Sequence, residues 1–160
     1  MSEFDLVIFD CDGVLVDSER LSHEVLRQML AEHGVALSLQ EALDRFMGTS
    51  TERCLELLSQ LMGSAAPADF MHRFRDRTFA AFETSLQPVA GVPELLRSLP
   101  HRYCVASNGP REKMRLTLRL TGLIGLVEGR MFSAQDVARP KPAPDLFLHA
   151  AAALGARPDE

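Results

Sequence analysis

Long apolar runs, paired cysteines and lysine are all scarce in this chain, and each scarcity excludes something. No apolar stretch approaches the roughly 20 residues that a membrane-spanning helix needs. The start, MSEFDLVIFD, has neither a basic segment nor a long apolar core, so no secretory leader is expected. Three cysteines, Cys11, Cys54 and Cys104, form no CxxC pair, and their odd number suits a reducing compartment. A cytoplasmic location is therefore expected. No Lys/Arg block occurs, and 22 acidic against 17 basic residues leave a net charge of −5. That sign disfavours nucleic acid and anionic membranes as partners. Lysine occurs only at positions 113 and 141.

What remains is the mixture of a folded globular chain, 46% hydrophobic and 24% charged over 160 residues. Leu6-Val-Ile-Phe9 is a short continuous apolar run stopped by acidic and glycine residues, the pattern of a parallel strand buried on both faces. Tyr103-Cys-Val-Ala106 repeats it, and Met131-Phe-Ser-Ala134 repeats it more weakly. Helical periodicity lies between these runs, over Pro93–Leu99, Arg111–Leu120 and Pro144–Leu154. Strands alternating with helices predict an α/β core built on a parallel sheet.

The stretch from about Glu19 to Gln87 contains no strand pattern. Leu21, Val25 and Met29, with Leu26 and Leu30, form one amphipathic stripe. Ser38-Leu-Gln-Glu41 predicts a capping box. Ser50–Met62 and Pro67–Leu86 predict two further helices, the last lined by Phe70, Phe74, Phe79 and Phe82. The expected organisation is a core of residues 1–17 and 88–160 carrying an inserted helical bundle over 18–87. The seams fall near Val16–Ser18 and Gln87–Gly91.

Residues with chemistry sit where the apolar runs stop. In an open parallel sheet, ligands bind beyond the carboxyl ends of the strands. Asp10 and Asp12, spaced i, i+2 in Asp10-Cys11-Asp12-Gly13, can face one cation, and Gly13 permits close backbone approach. One carboxylate can then attack as nucleophile while the other handles protons. An acidic turn closing a strand reads the same way without any chemistry. Ser107-Asn108-Gly109 offers a hydroxyl and backbone N–H groups to a phosphoryl oxygen, or simply caps the helix that follows. Lys141, between Pro140 and Pro142, is a compact cation in a restricted loop, suited to a phosphate or to solvent. The histidines are scattered without metal-site spacing.

In order and spacing, Phe9-Asp10-Cys11-Asp12-Gly13-Val14-Leu15-Val16-Asp17-Ser18, Val105-Ala106-Ser107-Asn108 and Arg139-Pro140-Lys141-Pro142 resemble the three motifs of the haloacid dehalogenase superfamily. Pro88-Val89-Ala90-Gly91-Val92-Pro93 resembles the family segment that re-enters the core. The resemblance implies a Rossmann-like core with a helical cap and a Mg²⁺ cofactor held by Asp10 and by the backbone carbonyl of Asp12. It makes Asp10 the nucleophile, Asp12 the general acid/base, Ser107 a phosphoryl ligand and Lys141 the stabiliser of nucleophile and intermediate. Asp12 and a cap without lysine argue against the dehalogenase and phosphonate-cleaving branches. The mutase branch presents Gly-Val-Ser-Arg where this chain has Gly48-Thr49-Ser50-Thr51, which favours hydrolysis.

Ser107-Asn108-Gly109-Pro110, Lys113-Met114 and Thr121-Gly122-Leu123 are similar to bacterial sugar-phosphate phosphatases. A small phosphorylated sugar or sugar acid is therefore the expected substrate. Ser107, Asn108, Gly48, Thr49, Ser50 and Arg53 are the candidate contacts to it. A mutase and a non-catalytic metabolite- or protein-binding remnant are the competing readings. Family members continue into another strand ending in two acidic metal ligands, so the core is expected to be incomplete at its C-terminal side. Asp159 and Glu160 precede that strand and are not assigned as ligands.

Overall fold

The computed structural model describes residues 4–157, so Asp159 and Glu160 lie outside the described residues. Two compact units divide the chain. One joins the residues up to Asp17 with those from Leu86 onward, and the other is Ser18–Ser85.

The first unit is a parallel α/β layer. Strands β1 (Leu6–Phe9), β2 (Arg102–Ser107) and β3 (Met131–Ser133) pair in the order β1-β2-β3. Phe9 stands against Val105, and Ser107 against Ser133, so the strand ends are in step. The helices of this unit are α5 (Val92–Ser98), α6 (Arg111–Leu120), α7 (Ile124–Val127) and α8 (Asp145–Ala153), the crossover elements that parallel strands require. Five consecutive residues of β2, Tyr103–Ser107, are buried, as a central strand demands.

β1 departs from expectation, because all four of its residues are only half-buried. Among the described residues it pairs with β2 alone. Leu6 and Ile8 line an apolar groove of about 250 Å³ with Phe147, Leu148 and Ala151 of α8. The short α7 lacks enough residues to show a period and leaves no signal in the sequence. The third apolar run ends as a strand at Ser133, where Ala134–Asp136 turn into a single 3₁₀ turn.

The second unit consists of α1 (Ser18–Glu32), α2 (Leu39–Phe46), α3 (Thr51–Met62) and α4 (Phe70–Ser85). Val25, Leu26, Met29 and Leu30 of α1 pack with Phe46, Leu58 and Phe70 into one apolar cluster. The capping box at Ser38 is formed: its hydroxyl accepts the Glu41 N–H, and the Glu41 carboxylate accepts the Ser38 N–H at 2.8 Å. Ser50 caps α3 in the same manner, accepting the Arg53 N–H. Glu32 of α1 pairs with Arg73 and Arg77 of α4 on the surface of the bundle. No described helix is long and apolar enough to cross a membrane.

Candidate active site

The acidic turn after β1 is built by its own backbone. The N–H groups of Leu15 and Val16 both reach the carbonyl of Cys11, and the Gly13 N–H reaches that of Val16. Gly13 closes the turn at φ +71°, a conformation open to glycine without strain. The odd residue, Cys11, is fully buried, while the Asp10 and Asp12 side chains keep 44% and 17% of their exposure. Burial, with the Asp12 charge adding to it, pushes the Cys11 thiol up to about 12. Cys11 is therefore a packing residue and not a thiolate nucleophile.

Two cations face the two carboxylates, one each. Lys141 Nζ lies 3.0 Å from Asp10 Oδ1 and donates to the Ala106 carbonyl at 3.0 Å. Lys113 Nζ lies 2.9 Å from Asp12 Oδ1. Asp10 Oδ1 also accepts the Cys11 N–H at 2.7 Å, which fixes the plane of the carboxylate. Both lysines of the chain are thus spent on the acidic pair.

β2 delivers the third element. Ser107 is 2% exposed, and its hydroxyl accepts the Gly109 N–H at 3.0 Å. α6 begins after Pro110 with no side-chain cap, so Ser107 does not cap that helix. A Cβ built on Gly109 would stand 3.3 Å from both Asp12 Oδ2 and Ser107 Oγ. Glycine here lets the acidic turn and the serine approach one another. The next residue, Asn108, uses its whole amide on the lysine loop. It donates to the Lys141 carbonyl and accepts the Lys141 N–H, each at 2.9 Å.

β3 braces the loop that follows β2. The Ser133 hydroxyl donates to the Gly109 carbonyl at 2.8 Å. Arg111 donates to the Met131 carbonyl at 2.9 Å and to Asp136 at 2.7 Å. Burial alone would raise the Asp136 pKa. The Ser133 N–H and the Arg111 guanidinium outweigh it and hold the carboxyl below the usual aspartate range.

The core unit therefore gathers Asp10, Asp12, Ser107 and Lys141 at the carboxyl ends of its strands, with Asn108 beside them. Lys113 is the member that the sequence reading leaves unassigned. Its scarcity, and its place in the first turn of the helix after Ser107, are the signals that single it out. Gly48, Thr49 and Ser50 lie in the helical unit and line a cavity there. Arg53 does not line it and pairs instead with Glu56 at 2.9 Å.

Among the described residues, no three His, Cys, Asp or Glu side chains form a metal-ligand cluster. The Asp10 carboxylate and the Asp12 backbone carbonyl, both in the turn after β1, are nonetheless hard oxygen donors. Mg²⁺ commonly binds through one or two carboxylates together with waters and substrate phosphate oxygens, so Asp10 and Asp12 fit it.

The model of the haloacid dehalogenase-like hydrolases matches residues 4–160. The chain is 33% identical to the 6-phosphogluconate phosphatase of Escherichia coli K12 over 155 residues, covering 96% of this chain and 70% of that enzyme. A haloacid dehalogenase family hydrolase from Deinococcus radiodurans R1, crystallised with bound phosphate and sodium, superposes with a TM-score of 0.85 at 35% identity, over 98% of this chain and 69% of that one. A haloacid dehalogenase-like protein from Agrobacterium tumefaciens C58 superposes at 0.87 with 33% identity, over 96% and 70%. The chain belongs to the haloacid dehalogenase-like hydrolase family, among its phosphoric monoester hydrolases.

Proposed function

We propose that the chain is a Mg²⁺-dependent phosphatase that releases phosphate from a small phosphorylated sugar or sugar acid through an aspartyl-phosphate on Asp10. The observation that carries this reading is the pair of lysine–aspartate contacts at the strand ends. Lys141 stands 3.0 Å from Asp10, and Lys113 stands 2.9 Å from Asp12. Similarity to a 6-phosphogluconate phosphatase supports the substrate class.

In the first step an Asp10 oxygen attacks phosphorus, and the bond from phosphorus to the ester oxygen breaks. Asp12 gives its proton to the departing oxygen, so the organic product leaves as a neutral alcohol. In the second step water attacks the same phosphorus, Asp12 takes a proton from it, and orthophosphate leaves as the Asp10 carboxylate is restored. Lys141 neutralises Asp10 and the phosphoryl oxygens throughout, and Ser107 offers its hydroxyl to one of them. The Asp10 carboxylate and the Asp12 backbone carbonyl would hold Mg²⁺, which would supply charge neutralisation on the transferring group and leave the Asp12 side chain for proton transfer. The helical unit, Ser18–Ser85, is assigned the water-excluding cap role that the family resemblance implies.

Phosphate release from a panel of sugar phosphates, with and without Mg²⁺, tests the reading. Asp10→Asn is expected to lower kcat by about 10³-fold or more with the fold retained. Turnover unchanged by EDTA or by Asp10→Asn would refute it.

A further inference from the structure

Gly109 is caught between two requirements. Its close approach to Asp12 and Ser107 calls for a residue without a side chain, yet glycine is the residue least able to hold its own backbone. Pro110 follows it and has no N–H with which to fix the turn. The conformation of Gly109 is therefore held from outside, by the turn that ends β3.

Ser133 is the last residue of β3 and the register partner of Ser107, the last residue of β2. It is fully buried. Its hydroxyl donates to the Gly109 carbonyl at 2.8 Å and accepts the Gln135 N–H at 3.3 Å. A hydroxyl has one proton, so this one is committed to Gly109. The Ser133 N–H is itself accepted by Asp136 at 2.8 Å. The Gln135 side-chain oxygen accepts the Arg111 N–H at 3.1 Å. The turn over 133–136 thus grips the loop on both sides of Pro110.

On the near side of Gly109 stands Ser107. Its hydroxyl accepts the Gly109 N–H at 3.0 Å, and among the described residues no acceptor takes its proton. With one lone pair occupied, that proton is confined to the remaining positions around the oxygen. We infer that Ser133 is a positioning residue. By holding the Gly109 carbonyl it keeps the Gly109 N–H on the Ser107 hydroxyl, and so keeps the Ser107 proton available to a phosphoryl oxygen. The inference rests on the phosphatase reading in that this acceptor is an oxygen of the phosphate ester or of released phosphate.

A double-mutant cycle tests it. Inorganic phosphate is titrated calorimetrically, with Mg²⁺ present, into the unmutated chain, Ser107→Ala, Ser133→Ala and the double variant. Ser107→Ala is expected to weaken binding at least about tenfold and Ser133→Ala about threefold or more. Added to Ser107→Ala, Ser133→Ala should cost less than about 1.5-fold, whereas a merely structural role would cost the same factor in both backgrounds. Hydrogen exchange at the Gly109 N–H, read by NMR, should quicken in Ser133→Ala, with circular dichroism checking the fold. Should Ser133→Ala fail to fold, Gln135→Ala alters an exposed side chain on the other side of Pro110. It should weaken phosphate only while Ser107 is present. Equal losses in both backgrounds, unchanged Gly109 exchange, or no phosphate binding by the unmutated chain overturns the inference. Phosphate release from sugar phosphates by the unmutated chain is measured in parallel. The absence of release with the cycle intact would refute the phosphatase reading and leave the positioning role standing.

Discussion

A single methylene chain separates the two cations of the site from irrelevance. Lys113 reaches Asp12 only because Gly109 has no side chain to interpose and α6 starts where it does. Lys113→Met keeps the stem and removes the charge, so the Asp12 carboxylate loses the ammonium 2.9 Å from it. We expect kcat to fall by about 10- to 100-fold with little change in thermal stability, measured by phosphate release and calorimetry. Asn108→Leu removes both bonds to the Lys141 backbone and should lower kcat by roughly tenfold, since a misplaced ammonium still carries its charge. Asp136 acts on stability instead. Its carboxyl is held below the usual aspartate range, so its contribution is present above the unfolded-state value of about 4 and is lost as pH falls through the lower folded-state value. Unfolding of wild type and Asp136→Asn, compared from pH 7 to pH 3, should show a constant stability difference that shrinks below about pH 4. Of these residues, Asp10, Asp12, Ser107 and Lys141 were legible in the sequence, because motif spacing at strand ends is local information. Lys113 and the clasp made by Asn108 were not, since each is a contact between segments whose approach only the fold determines.

At the scale of elements, legibility followed the length of the period. The stripe on α1 and the four phenylalanines of α4 span several turns and point to helices unaided. The four residues of α7 and the 3₁₀ turn after β3 are too short to carry a pattern. The half-burial of β1 is a different matter. Its apolar run is that of an interior strand, but burial is set by neighbours, and here β2 is the one strand beside it among the described residues. The capping box is a local device that the sequence spells out completely. Ser38→Ala should cost about 1 kcal/mol, read as a lowered midpoint of thermal unfolding.

Over the whole molecule, two apolar cores are held by different parts of one chain. The cluster around Met29, Leu30, Leu58 and Phe70 draws every member from the helical unit. Phe70 is fully buried there, and Phe70→Ala should cost about 3–5 kcal/mol. Hydrogen exchange should rise across residues 18–85 in that variant by more than it does in β1, β2 and β3. The placement of both lysines also changes how the chain can be handled. Apart from the amino terminus, its only primary amines are the two ammonium groups at the acidic turn, Lys113 and Lys141. An acylating reagent that elsewhere decorates a protein's surface has, on this chain, only the amino terminus and these two lysines of the candidate site to label. A phosphate ester bound at the candidate site would be seen as protection of the two lysine-bearing peptides, with the amino terminus labelled as before.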